Sequence, residues 1–227
     1  MSKKLNKCDH SCFMCRHAGQ DWWENIGIRR QIIRAKRGQQ IIDEGEEANG
    51  VYFVQEGLVK VHKRYGDKES IVRFANKGDI IGHRGMPGDK PTFPISATCL
   101  ENCVLCFVPF DFFKKLLRTN PALTYAMLMF YADELQVSEQ KATNQVHLSV
   151  KGRLAWSFFQ LEEKMGTDNE GYIRLMLSKT DLAAYVGSTY ESVYRMMVEL
   201  EAEDIVERAN KRIKIKNREK LLYYSNL

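Results

Sequence analysis

Short apolar runs separated by glycines fill the first half of the chain. Between Ile32 and Pro109, runs such as Val51–Val54 and Val104–Val108 alternate with glycines at positions 38, 45, 50, 57, 66, 78 and 82. Regularly spaced short strands with glycine turns are typical of an antiparallel sandwich or jelly roll. The mouth of such a barrel often holds a small ligand. We therefore predict a jelly-roll effector domain.

A long stretch without glycine or proline follows Pro121 and runs to about Leu148. At ~1.5 Å per residue this stretch corresponds to a helix of roughly 40 Å, and proline suits its first turn. The residues near heptad spacing are Leu123, Met127, Phe130 and Val137, with Glu134 and Lys141 interrupting the seam. We predict a dimerisation helix. The alternative is a helix that packs only against its own barrel.

The pattern then changes to two short amphipathic helices. Ser178 stands three residues before Asp181, a capping-box spacing that opens a helix, and Gly187 ends it. Ser188 stands three residues before Glu191 and opens a second helix with apolar residues at helical spacing. Two helices across a glycine-containing turn predict a helix-turn-helix. The second helix of this motif enters the DNA major groove with its N-terminal end first.

The start of the second helix carries the side chains that we expect to contact DNA: Ser188, Thr189, Tyr190, Glu191, Ser192 and Arg195. Glu191 and Arg195 are one helical turn apart and share a face. A carboxylate there can accept from cytosine N4, and a guanidinium can donate to guanine O6 and N7. The alternative is that Glu191 caps the helix and pairs with Arg195.

A basic β-hairpin follows the second helix. Ile213 and Ile215 alternate with basic residues, the period-two pattern of a half-buried strand. Beside a recognition helix, such a hairpin is the wing of a winged helix-turn-helix and contacts phosphate, with Lys211 and Arg212 as candidates. Solvation of an exposed hairpin is the alternative explanation for the basic residues.

Together these patterns predict an α+β fold in four segments. They are an N-terminal cysteine-containing segment (1–27), the antiparallel β jelly roll (28–118), the long dimerisation helix (119–149) and the C-terminal winged helix-turn-helix (150–227). The chain has 227 residues, of which 44% are hydrophobic, and a net charge of +5 that permits nucleic-acid binding. No apolar run approaches the roughly 20 residues of a membrane span, and no signal-peptide pattern is present. We therefore expect a cytoplasmic protein without membrane contact.

The chain has six cysteines, which suggest chemistry beyond packing. In a cytoplasmic protein, thiols indicate buried side chains, a metal site or redox sensing rather than disulfides. One possible zinc site would use Cys8, His10, Cys12 and Cys15, which are suitable ligands at close spacing. Thiols that only pack, or haem bound in the barrel by one of the histidines, remain alternatives.

The order of elements, together with short motifs, resembles the Crp/Fnr family of bacterial transcription regulators over nearly the whole chain. The matching motifs include Arg37-Gly38, Glu56-Gly57, Gly78-Asp79-Ile80-Ile81-Gly82, Asp181-Leu182-Ala183, Val186-Gly187 and Glu191-Ser192-Val193. The resemblance implies a homodimer that reads an inverted repeat in double-stranded DNA, acts with RNA polymerase and responds to an effector. It places Glu191 and Arg195 on base-reading positions and Thr189 on a phosphate-contacting one.

The resemblance also bears on the effector pocket, for which the candidate residues are Gly82, His83, Arg84, Ser96 and Ala97. Cyclic-nucleotide binders of the family use Gly-Glu-Leu and Arg-Ser-Ala motifs, whose equivalents here are Gly82-His83-Arg84 and Ile95-Ser96-Ala97. The family's glutamate is replaced by His83 and its arginine by Ile95. Without that arginine a phosphate lacks its bidentate partner, so cyclic AMP is not the expected effector.

The oxygen-sensing branch of the family holds a four-iron cluster through N-terminal cysteines and one cysteine before a strand-ending proline. By resemblance, Cys12, Cys15 and Cys106 match such ligands, and Cys8 has the spacing of an additional cysteine. The branch's last N-terminal cysteine falls near Asp21. An iron–sulfur cluster would therefore need Cys8 or Asp21 as its fourth ligand.

Two other classes of protein share parts of this pattern. A cupin-type metalloenzyme also has a glycine-punctuated jelly roll, but it needs a His-x-His cluster that His62 and His83 do not provide. We therefore expect no enzymatic activity. A cyclic-nucleotide-type module that acts through protein contacts would leave Glu191, Arg195 and the basic hairpin without a role.

Overall fold

The computed structural model describes residues 8–225, which divide into two compact units. One unit contains the residues up to 65 together with 72–134, and the other contains 66–71 together with the chain from 135 onward. The division falls inside the long helix, whereas the predicted boundaries lay at its two ends. Residues 1–7 of the predicted N-terminal segment lie outside the described part.

The first unit opens with two short helices, α1 (Phe13–Ala18) and α2 (Trp23–Arg29), before the strands. The strands are β1 (Gln31–Ala35), β2 (Gln40–Ile42), β3 (Gly50–Glu56), β4 (Val59–Tyr65), β5 (Lys68–Ala75), β6 (Ile80–Ile81), β7 (Ser96–Cys99) and β8 (Cys103–Pro109). Helices α3 (Phe110–Thr119) and α4 (Pro121–His147) follow; residues 68–71 of β5 and the part of α4 from 135 onward belong to the second unit. Their order confirms the predicted succession of strands and long helix.

The strands form two four-stranded sheets with the orders β1-β8-β3-β6 and β2-β7-β4-β5. Pairs such as β3–β8 and β4–β7 are antiparallel, with Phe53 opposite Cys106 and Val61 opposite Ala97. These four side chains are buried in one apolar core. Two antiparallel sheets whose side chains share one apolar core form the predicted jelly roll.

The predicted dimer seam on α4 is wrong for its N-terminal half. Leu123 and Met127 are buried in the core of the jelly roll, and Phe130 packs against the same core. Val137 is exposed. Apolar residues on a helix can serve its own domain or a partner, and spacing alone did not separate the two faces.

The second unit continues from the end of α4 into the predicted winged helix-turn-helix. Its further elements are α5 (Val150–Met165), α6 (Lys179–Val186), α7 (Tyr190–Ala202), β9 (Val206–Ala209), β10 (Arg212–Ile215) and α8 (Arg218–Ser225). Leu154, Phe158 and Leu200 are fully buried in this unit. Strands β9 and β10 pair antiparallel as the wing. Among the described residues, no helix has the length and apolar character needed to cross a membrane.

Candidate DNA-binding face and cysteine cluster

Helices α6 and α7 form the helix-turn-helix. Ser178 caps α6, because its Oγ accepts a hydrogen bond from the backbone N–H of Asp181 at 3.0 Å. Gly187 ends α6 with a φ of +71°. This left-handed backbone conformation favours glycine, and a Cβ there would lie 2.2 Å from Nε2 of Gln145, so any other residue would also displace that side chain.

Side chains from α4 and α5 hold the turn between the two helices. Gln145 Nε2 donates to the carbonyl of Val186 at 3.0 Å. Arg153 donates to the carbonyls of Val186 and Gly187 at 3.3 and 3.4 Å. These bonds satisfy carbonyl groups that the end of α6 leaves without helical partners. The turn before α7 is thereby fixed to the last part of α4.

The recognition helix α7 is capped one residue later than predicted. Thr189 Oγ1 accepts a hydrogen bond from the backbone N–H of Ser192 at 3.3 Å, whereas Ser188 is half-buried in the turn. The prediction that Ser188 opens the helix is therefore wrong. Serine and threonine are both good caps, so the sequence spacing did not distinguish them. The Ser192 hydroxyl also takes part in the cap, 3.1 Å from that of Thr189.

An exposed face of α7 presents Glu191 and Arg195 to solvent. Within residues 8–225, neither side chain has a hydrogen-bond or ion-pair partner. The two side chains do not pair with each other in this structure, and the cap of the helix is Thr189 rather than Glu191. A free carboxylate and a free guanidinium one turn apart are suited to hydrogen bonding with base edges.

Two tyrosines lie beside this face. The rings of Tyr190 and Tyr194 have centroids 5.9 Å apart and an interplanar angle of 26°. Lys179 Nζ lies 3.3 Å from the Tyr190 hydroxyl and 4.8 Å from the Tyr194 ring centroid. The sequence pattern indicated Tyr190 but not Tyr194 as a DNA contact, although their i,i+4 spacing places them on one side of the helix.

The basic residues of the wing differ in their availability to DNA. Lys211, at the turn between β9 and β10, is exposed and has no ion-pair partner among the described residues. Arg212 instead pairs with Asp168 at 3.1 Å and with Glu170 at 2.8 Å. Lys211 is therefore the freer of the two predicted phosphate contacts.

The four cysteines predicted as ligands come together in the first unit. Cys12 and Cys15 of the N-terminal segment and Cys106 of β8 are buried in one core cluster, and Cys8 packs against it. The sulfur atoms of Cys8 and Cys15 are 4.0 Å apart. The candidate ligand atoms of Cys8, His10 and Cys15 all lie within 4.8 Å of one another. Asp21 is exposed and outside this group, so Cys8 is a better candidate than Asp21 for the fourth ligand.

Neighbouring side chains fix the cysteine-containing segment. Trp23 Nε1 donates to the carbonyl of Cys15 at 3.1 Å, and the Trp23 ring stacks on His10 with centroids 3.9 Å apart. Gln55 Nε2 lies 3.6 Å from the sulfur of Cys8. The thiols are therefore held in place by the sheet and by α2.

The surroundings give the thiols different proton affinities. Hydrogen bonds from the thiols of Cys12 and Cys15 lower the pKa of Cys8 to about 2, whereas burial raises the pKa of Cys106 to about 12. Metals bind thiolates, so a metal would release protons from the thiols that are still protonated. A buried set of soft sulfur donors fits an iron–sulfur cluster or zinc.

The predicted effector residues around Gly82 contact a carboxylate on α4. The Glu134 carboxylate forms ion pairs with Arg73 Nε at 2.8 Å and with Arg84 Nη2 at 2.8 Å. His83 Nε2 lies 3.4 Å from the same carboxylate. Burial opposes the ionisation of Glu134, yet the nearby His83 ring and the charge of Arg73 hold its pKa below its ordinary range. Gly82 precedes this cluster in the left-handed conformation, with a φ of +82°.

Ser96 and Ala97 are likewise engaged with the protein. Ser96 Oγ accepts a hydrogen bond from the backbone N–H of Glu44 at 3.1 Å. Ala97 is fully buried and pairs with Ile42 and Val61 on the neighbouring strands. Arg84 and Ser96, two of the polar groups that we expected to receive a ligand, thus have partners within the first unit.

Two family models match this chain. The cyclic nucleotide-binding domain matches residues 32–120, and the Crp-like helix-turn-helix domain matches residues 152–224. The anaerobic regulatory protein of Bacillus subtilis is 25% identical over 186 residues, which cover 81% of this chain and 77% of that protein. The fumarate and nitrate reduction regulatory protein of Vibrio cholerae is 25% identical over 202 residues, covering 85% and 79%.

A solved structure agrees with these sequence matches. A CooA variant from Carboxydothermus hydrogenoformans superposes with a TM-score of 0.79 at 20% identity, covering 94% of this chain and 95% of that one. It supports the fold of a jelly roll, long helix and winged helix-turn-helix. With both domain models matched in order, this chain belongs to the Crp/Fnr family of transcription regulators and is not an enzyme.

Proposed function

We propose that this chain is a homodimeric regulator that reads an inverted repeat in double-stranded DNA through α7. The free Glu191 and Arg195 on the exposed face of a capped helix carry this proposal. Arg195 would donate to guanine and Glu191 would accept from cytosine, while Lys211 supports binding through phosphate. Such a regulator would act in the cytoplasm with RNA polymerase as its partner.

The test begins with selection of bound duplexes from a random library. An inverted repeat should be enriched. Arg195→Ala should then lose about 1–3 kcal/mol of affinity for the selected site and little for random DNA. Lys211→Ala should weaken both kinds of DNA about equally. Equal losses on selected and random DNA for Arg195→Ala would contradict base reading by this helix.

The dimer contact that we propose is a seam of apolar and small residues on α4. Exposed residues follow each other at intervals of three and four along the helix: Tyr125, Leu128, Ala132, Leu135, Ala142 and Val146, with Glu139 as the polar member. This spacing is the heptad pattern of a two-stranded coiled coil. The 27-residue helix provides about four heptads for it.

For the signal, we favour an iron–sulfur cluster held by Cys8, Cys12, Cys15 and Cys106. When bound, such a cluster supplies a centre that responds to oxygen and to redox state. The convergence of four thiols supports this choice. Two relatives are named as anaerobic and as fumarate and nitrate reduction regulators, which agrees with a signal of this kind. Ile95 stands where cyclic-nucleotide binders have the arginine that pairs with the phosphate, and Arg84 is already paired with Glu134, so cyclic AMP is not the proposed effector.

Zinc is a second candidate because the ligand atoms of Cys8, His10 and Cys15 are mutually close. The two metals require different fourth groups, so matched variants separate them. Iron and sulfide that persist in His10→Ala but are lost in Cys106→Ala would establish the cluster. Zinc that persists in Cys106→Ala but is lost in His10→Ala would establish the zinc site. The measurement is the anaerobic absorption spectrum with metal and sulfide content, and circular dichroism checks that each variant is folded.

A further inference from the structure

A groove of about 570 Å³ runs between α7 and the wing in the second unit. Apolar side chains form much of its lining, including Leu182, Val193, Met197 and Ile213. Tyr190 and Tyr194 form the wall next to the base-reading face. Their side chains remain accessible, with 37% and 40% of their surface exposed.

The two rings are held by cationic side chains. Lys179 Nζ lies 5.7 and 4.8 Å from the centroids of Tyr190 and Tyr194, and the Arg208 guanidinium lies 5.5 Å from that of Tyr194. Arg208 also pairs with Glu201 at 3.0 Å. A cation over a ring face is attracted to it by about 0.5–1 kcal/mol at an exposed site. The wall therefore combines aromatic surface with positive charge.

The charge of the groove is complementary to nucleic acid. Lys179, Arg208 and Lys211 line it, and none of the described residues along it is acidic. Positively charged side chains around an apolar wall suit a partner with phosphates on its outside and apolar groups within reach. The DNA major groove has this character, because thymine presents its 5-methyl group there between two phosphate backbones.

We propose that Tyr190 and Tyr194 are a second sequence-reading surface, which accepts thymine methyl groups beside the base pairs read by Glu191 and Arg195. Tyr190 and Tyr194 directly precede Glu191 and Arg195 on α7, which places the two tyrosines about 100° around the helix from the charged pair, on the side next to the wing. Apolar contact with the methyl group is a known mode of thymine recognition. The proposal rests on DNA reading by α7 as set out above, and it adds a preference that the charged pair does not provide.

The test uses the duplex selected by the full-length protein. Each thymine is replaced in turn by deoxyuridine, which removes only the methyl group. We expect the unmodified protein to lose about fourfold in affinity at one or two positions of each half-site, the value of one buried methyl group. Tyr194→Ser should bind the thymine and uracil duplexes equally. Tyr194→Phe, which keeps the ring, should still distinguish them. Tyr223→Ser, a change of an exposed tyrosine on α8, is the matched control and should behave as the unmodified protein.

Each contrary result has a distinct meaning. Equal binding of thymine and uracil duplexes by the unmodified protein overturns the inference while leaving the inverted repeat intact. Loss of discrimination in Tyr194→Phe overturns it as well, because the hydroxyl and not the ring would then make the contact. Anilinonaphthalene sulfonate, a fluorescent aromatic anion, provides a further check. If it binds one site per chain, if Tyr194→Ser abolishes that binding and if the DNA duplex does not displace the dye, the groove would be assigned to a small aromatic anion. Failure to enrich any inverted repeat would overturn both proposals.

Discussion

The ion cluster at Glu134 leads to a specific prediction about stability. Changing Glu134 to glutamine keeps the size of the side chain but removes the charge that Arg73 and Arg84 contact at 2.8 Å. The Glu134 side chain is only 13% exposed, as is that of Arg73. The substitution therefore leaves the largely buried Arg73 guanidinium with Asp79 as its remaining carboxylate, at 4.0 Å from Nη1.

The expected magnitude follows from this burial. Removal of one partner from a buried ion pair costs about 3–5 kcal/mol, mostly because the remaining charge is uncompensated. Glutamine retains an oxygen acceptor and Arg84 is partly exposed, so we expect the lower end, about 3 kcal/mol. For a chain of this size that corresponds to a fall of roughly 6–12 °C in the Tm of the first unit.

Differential scanning calorimetry of the full chain at pH 7.5 measures this change. Asp133→Asn is the matched control, because it removes a carboxylate from the adjacent, exposed position of the same helix. We expect the control to change the free energy of unfolding by no more than about 0.5 kcal/mol. If Glu134→Gln and Asp133→Asn gave equal Tm values, the cluster would be a surface interaction without a structural role.

The other predictions concern assembly and pH. Leu135→Glu places a charge in the α4 seam and should convert the dimer to a monomer, as measured by light scattering. Val137→Glu, on the opposite side of the helix, is the control and should leave the mass unchanged. A dimeric Leu135→Glu variant would refute the seam. Burial lowers the pKa of His83 despite the nearby Glu134 carboxylate, so the folded state favours the neutral ring. The stability that this provides is complete above pH 6.5 and is lost as the pH falls through the lowered pKa. The free energy of unfolding, measured with urea between pH 7.5 and 5.5, should therefore decrease towards acid by up to about 1.4 kcal/mol per pH unit. The His83→Gln variant should show a smaller dependence on pH. Identical pH profiles for the two proteins would contradict the burial of a neutral ring.

Local patterns predicted the elements of the fold well. Glycine-separated strands and capping spacing depend on residues near one another in sequence, so the jelly roll and the helix-turn-helix followed from periodicity and turn chemistry. Leu123 and Met127 were predicted as dimer contacts on α4, but both are buried in the core of their own unit. The periodicity of a helix with two apolar faces does not identify which face is buried within the chain.

Contacts between distant residues were much harder to predict. Glu134 appeared in the sequence only as an interruption of a heptad, yet it contacts Arg73 and His83 some 50–60 residues earlier. No local pattern contains that information. The proximity of Cys8 to Cys106 was expected solely from the family resemblance, since the N-terminal segment and β8 come together only after folding.

The hydrogen bonds from Gln145 and Arg153 to the turn before α7 have a mechanical consequence. In a dimer joined along α4, each recognition helix would be fixed to the C-terminal end of one α4 helix, and the two α4 helices would cross. The distance between the two recognition helices would then depend on the crossing angle of the α4 helices. Half-sites one helical turn apart, about 34 Å, tolerate little error in that separation. A small rotation at the seam would thus be enough to decide whether the distance between the two recognition helices matches one helical turn of DNA.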